Sequence, residues 1–172
     1  MSRVRTLVVL ILVAVTLGGC APAVSPDEQA VRSTIEQYNS MLSDGYRALN
    51  MNGMVQFATP AQAESEYVHM SSLAEGGIRL DPKLKEIEIF KVSIEATSAT
   101  AETRETWEYR HYSRQTGELV LEEKALVYHL AWDLEKQPAG NWLVSDVRAI
   151  SATSTNEPQM PGTTTPSPRK KE

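Results

Sequence analysis

The chain of 172 residues carries one cysteine, three histidines and two phenylalanines. No apolar run approaches the roughly 20 residues that a membrane-spanning helix needs. One cysteine excludes an internal disulfide. His69, His111 and His129 fall on separate predicted elements, and no H-x-x-x-H, H-E-x-x-H or paired-cysteine spacing exists, so neither a metal nor a cofactor is expected. A G-x-G-x-x-G turn, a P-loop and a G-x-S-x-G elbow are also missing. Ser71 and Ser72 have no base nearby in a recognisable order. Basic charge is the minority: 17 Lys and Arg stand against 22 Asp and Glu, which argues against nucleic acid as a partner.

The one cysteine is placed informatively. Arg3 and Arg5 form a positive segment, Thr6 to Leu17 an apolar segment of about a dozen residues, and Leu17-Gly18-Gly19-Cys20 closes it with two small residues before the thiol. This order resembles a bacterial lipoprotein signal ending in a lipobox. The resemblance implies a diacylglyceryl group on Cys20, cleavage of residues 1–19, and acylation of the new N-terminus. Two or three acyl chains anchor stably where one does not, so the expected mature protein sits on a membrane through Cys20 and does not cross it. Ala21 stands where an Asp would imply inner-membrane retention. The expected location is therefore the cell envelope: the outer membrane facing the periplasm in a Gram-negative organism, otherwise the outer face of the cytoplasmic membrane.

Loss of Arg3 and Arg5 would leave 15 basic residues against 22 acidic, a formal charge of about −7. An acidic body is repelled by anionic lipid, so membrane contact is expected to rest on the acyl chains. Residues 20–25 read as a lipidated linker and residues 26–151 as one domain with a modest core.

Two helix starts are written in the same chemistry. Ser25-Pro26-Asp27-Glu28 reads as a capping box with Pro26 at the first helical position. Val31, Ile35, Tyr38, Leu42, Tyr46 and Leu49 then make one stripe over some five turns. Met51 to Ala58 suits a short helix. Thr59-Pro60-Ala61-Gln62 repeats the capping pattern, with Ala63, Tyr67, Met70 and Ala74 as the expected buried stripe and Gly76-Gly77 as the stop.

From Leu84 the apolar period changes to two. Ile87 and Ile89 lie on one parity, Val92 and Ile94 on the other, which predicts a bulge near Phe90-Lys91. Further strands are expected over Ala99 to Arg114, Leu119 to Leu134 and Trp142 to Ile150. A two-residue loop at Thr116-Gly117 sets Trp107 opposite Leu126, Glu105 opposite Tyr128 and Arg110 opposite Glu123. A three-residue loop with Gly117 as a bulge pairs Arg110 with Glu122 instead. In the first register Trp107, Tyr109, Leu126, Tyr128, Leu130 and Trp132 face the helices, while Glu108, Arg110, Glu123 and Val127 face away.

A long helix, two shorter helices and a curved antiparallel sheet of four or more strands define an α+β class. With the closing Gly140-Asn141-Trp142-Leu143-Val144-Ser145-Asp146-Val147 and the Glu105-Thr106-Trp107-Glu108-Tyr109 strand, the chain resembles the NTF2-like (cystatin-like cone) family. The likeness lies near its bacterial envelope branch, grouped with intermembrane-space and ARC6-like domains. The resemblance implies either a binding or assembly module with an envelope protein partner or a second copy, or an enzyme of isomerase, dehydratase or cyclase type. A carrier of small apolar ligands is a further alternative. An enzyme needs polar groups inside the cone: Glu105 as base, Tyr128 across from it, and Tyr67 supplied by a helix. Trp107, Tyr109, Leu126, Tyr128 and Trp132 are the expected pocket lining. His111 shares their parity. His129 and Asp133 fall on the outward parity, and Asp146 on a strand whose bulge decides its direction.

Residues 152–172, rich in Ser, Thr and Pro and ending near Arg169-Lys170-Lys171, are expected to form a disordered tail, since they hold too little apolar surface to offset the entropy of ordering.

Overall fold

A computed structural model of the protein describes residues 24–154. The expected signal segment and Cys20, within residues 1–23, and residues 155–172 of the expected tail lie outside the described residues. Helix α1 spans Pro26–Ala48, a single 3-10 turn follows at Asn52–Gln56, and helix α2 spans Pro60–Glu75. Four strands complete the chain: β1 Ile78–Ile94, β2 Ser98–Ser113, β3 Leu119–Lys136 and β4 Trp142–Ser154. They form one antiparallel meander in the order β1-β2-β3-β4. The expected α+β layering is present.

The helix starts follow from their capping residues. Ser25 Oγ accepts the Glu28 amide at 3.1 Å, and Thr59 Oγ1 accepts that of Gln62 at 3.4 Å, each ahead of a proline that has no amide hydrogen to leave unpaired. Glu28 does not return the contact. Its carboxylate holds Arg32 at 2.7 Å, whose guanidinium also donates to the Ile89 carbonyl at 2.6 Å and ties α1 to the sheet. At the other end Leu49 adopts φ 53° as the left-handed cap, where a glycine is usual, while its side chain packs on the core.

Both strand ends differ from the periodicity reading. β1 begins at Ile78 and includes Pro82, which is accepted because β1 is an edge strand with only β2 beside it. β4 continues to Ser154, so residues 152–154 belong to the sheet and not to the tail. The predicted bulge near Phe90 is present between Ile89 and Lys91, and a second lies between Leu84 and Glu86. In the central hairpin the two-residue-loop register holds up to Trp107, and the three-residue-loop register over Tyr109 to His111, past a β3 bulge opposite Glu108. A further shift sets Tyr112 opposite Leu119, so neither register runs through to the turn. Trp107 pairs with Leu126 and Glu105 with Tyr128, while Arg110 pairs with Glu122. The Arg110 guanidinium reaches Glu122 at 2.9 Å. Bulges bend and twist the strands that carry them, which wraps the sheet around the helices.

The core lies between α1 and the inner sheet face. Val31, Ile35 and Tyr38 from α1 meet Trp132, Leu134 and Val144, all within 1% of complete burial. The link before α2 is stitched to β4: the Thr59 amide donates to the Val144 carbonyl at 2.8 Å and the Val144 amide to that of Phe57 at 2.9 Å. The outer sheet face is polar. Lys91 pairs with Glu102 at 2.6 Å and Lys85 with Glu108 at 3.3 Å, exposed pairs that contribute little each but keep that face wet.

Candidate functional site

Where the curved sheet leaves α1, a cavity of about 140 Å³ remains, lined by residues of α1, α2, β2, β3 and β4. Five aromatic rings face it: Tyr38, Trp107, Tyr109, Tyr128 and Trp132. Trp107 and Tyr109 stack with centroids 5.9 Å apart, and Tyr38 stands edge-on to Trp132 at 5.4 Å. Two carboxylates, Glu66 and Glu105, complete the wall, and no lysine, arginine or histidine lines it.

Glu105 is fully buried. Its Oε1 accepts from Asn39 Nδ2 at 3.0 Å and Thr103 Oγ1 at 2.9 Å, and its Oε2 accepts from Trp107 Nε1 at 2.8 Å. Trp132 Nε1 donates to Thr103 Oγ1 at 2.9 Å, so the threonine relays one indole to the carboxylate. Burial raises the Glu105 carboxyl above the ordinary range, against the pull of its three donors. No cationic side chain faces the carboxyl, and neutral donors alone oppose the burial.

Glu66 repeats the arrangement from α2. Its Oε1 accepts from the Tyr38 hydroxyl at 2.8 Å and Gln62 Nε2 at 3.1 Å, and its Oε2 from the Tyr46 hydroxyl at 3.3 Å. The Tyr46 hydroxyl also lies 2.5 Å from His69 Nδ1. Burial, then the Glu66 charge, raise the Tyr38 and Tyr46 phenols, which stay protonated as donors. Tyr109, hydrogen-bonded to Tyr128, is raised by the same burial.

The structure brings most of the expected site residues together and leaves two out. Glu105, Trp107, Tyr109, Tyr128 and Trp132 all line the cavity, but Leu126, half-buried opposite Trp107, does not. Tyr67 is 54% exposed and stands away from the cavity, beside Val55 and Pro60. Of the expected α2 stripe Ala63 and Met70 are buried and Ala74 is partly buried, and only Tyr67 is turned out to solvent. Gln62, Ala63 and Met70 are buried, with Glu66 turned inward, in place of Tyr67. The reason lies on α1, whose two inward tyrosines present hydroxyls that need acceptors in a dry interior. Glu66 was therefore missed by an apolar count, although Gln62, Glu66 and His69 form a polar stripe at helical spacing.

The remaining candidates lie elsewhere. His111 pairs with Leu80 and Leu121 and does not reach the cavity. His129 Nε2 contacts Glu102 Oε2 at 2.9 Å on the outer face, and Arg148 bridges Asp133, at 2.6 Å, and Asp146. Among the described residues no group of three His, Cys, Asp or Glu side chains is placed to hold a metal ion.

No family model matches the chain, and no curated protein does. Solved structures do match. The intermembrane-space region of the chloroplast protein ARC6 aligns with a TM-score of 0.60 at 10% identity, covering 70% of this chain and 94% of that one. A conserved protein from Planctomyces limnophilus aligns at 0.46, with 12% identity over 71% of this chain and 99% of its own. A ketosteroid isomerase-like protein from Erwinia carotovora aligns at 0.42, with 16% identity over 69% and 95%. The fold is NTF2-like: helices packed on a four-stranded antiparallel sheet. Likeness at such identity speaks to the fold and leaves activity to the site itself.

Proposed function

We propose that the protein is a lipid-anchored envelope module, tethered through Cys20, that binds through the cone and not an enzyme. The observation that carries the binding reading is the state of Glu105. A general base must reach a substrate proton, whereas Glu105 is fully buried and three of its roughly four acceptor directions are already taken by protein donors. The cavity is also small. At about 140 Å³ it falls below the ordinary size of a small-molecule catalytic pocket, roughly 300 Å³ or more, and is close to the space that holds one benzene-sized group. The envelope protein partner, or a second copy, would then read the occupied or empty cone.

The tether is tested by replacing Cys20 with Ala in cells. The wild-type protein is expected with the membranes and the variant in the soluble fraction; a variant that still sediments with membranes overturns the anchor. The binding reading is tested by extracting whatever small molecule co-purifies with the full chain and returning it to fresh protein. Recovery unchanged supports a binder, and chemical conversion revives the isomerase-type alternative.

A further inference from the structure

We propose that the cone cavity is a cage for a small methylated ammonium cation, a trimethylammonium head or its like. The inference rests on the binding reading above and names the ligand class for the same site. Three features of the wall argue for it together.

The first is charge. Glu66 and Glu105 both face the cavity, each accepts three neutral donors, and neither has an ion pair among the described residues. An anion is excluded by repulsion, and an uncharged ligand would leave the buried Glu105 and the partly buried Glu66 without a countercharge. The second is the rings. The quadrupole of an aromatic face attracts a cation placed over it, and five rings surround this space. The third is the lack of free acceptors. Each carboxylate has about four lone-pair directions, three of them used, so a primary ammonium with three hydrogens to place is poorly served. A quaternary ammonium has none to place and needs only negative potential and apolar contact. The cavity volume suits a head group and not a drug-sized body.

The wild-type full chain is titrated with choline, with ethanolamine, and with dimethylbutanol, in which carbon replaces the choline nitrogen, while the tryptophan fluorescence is followed, to which Trp107 and Trp132 contribute from the cavity wall and Trp142 from outside it. Choline is expected to bind about tenfold more tightly than either, the order of a desolvated cation–π contact. Equal or tighter binding of dimethylbutanol overturns the cation cage and leaves an apolar binding cone standing. Tighter binding of ethanolamine overturns the methylated class. No response to any of the three overturns the cage, while the binding reading is judged separately by the co-purifying molecule. Glu105→Gln is expected to lose most of the preference for choline over dimethylbutanol. Tyr128→Leu, which removes a half-buried ring and leaves the Glu105 donors in place, is a second variant with the same expectation. A free solute and a lipid headgroup are separated with the Cys20→Ala protein. Choline-reversible capture on phosphatidylcholine vesicles, compared with phosphatidylglycerol vesicles, assigns the headgroup, and choline binding without capture assigns a solute.

Discussion

Trp107 Nε1 donates to Glu105 Oε2 at 2.8 Å, from two residues further along the same face of β2. One strand thus supplies a buried carboxylate and the indole that orients it, and Thr103, two residues before, supplies the other side at 2.9 Å. The alternation of a strand places all three side chains on the inner face.

That carboxylate makes stability depend on pH. Glu105 is raised in the fold by burial, so the unfolded chain loses its proton first as pH rises. Its contribution is full below about pH 4, the unfolded value, and is lost as pH climbs through the higher folded value. Other titratable groups lining the cavity are Tyr38 of α1, Glu66 of α2, Tyr109 of β2 and Tyr128 of β3. Urea unfolding of Glu105→Gln across this range is expected to show a smaller decline with pH than the wild type. An identical decline would show that Glu105 is not the group responsible.

Thr103 accepts from Trp132 and donates to Glu105, and it is fully buried. Thr103→Val keeps the shape and strands both partners, which costs about 1–3 kcal/mol for a buried unsatisfied group. The unfolding midpoint in urea reads this directly. A change near zero would mean that both indole and carboxylate find new partners.

Tyr67 provides the opposite expectation. At 54% exposed and outside the cavity, its replacement by Ala is expected to change stability by no more than about 0.5 kcal/mol and to leave choline binding unaltered. Loss of binding in Tyr67→Ala would restore the helical orientation that apolar spacing predicts.

Local chemistry determined the elements. Ser25-Pro26 and Thr59-Pro60 start helices because cap and ring act within one turn, and the bulge near Phe90 is visible because a change of parity within one strand has no other simple repair. The inward face of β2 and β3 was equally legible, since alternation carries Glu105, Trp107 and Tyr128 to one side. Tertiary structure alone decided how α2 is turned. An apolar count reports a helix's own greasy stripe, whereas the face that goes inside also answers to its neighbours, here the hydroxyls of Tyr38 and Tyr46 seeking Glu66. The same holds for the hairpin, where turn length alone offered two registers, and bulges opposite Glu108 and beyond His111 leave each of them only part of the strand. Whether Glu105 stands wet at a rim or dry among indoles depended on how far the sheet curves over α1. Curvature is the sum of bulges and packing along the whole sheet, a quantity that no single segment of sequence contains.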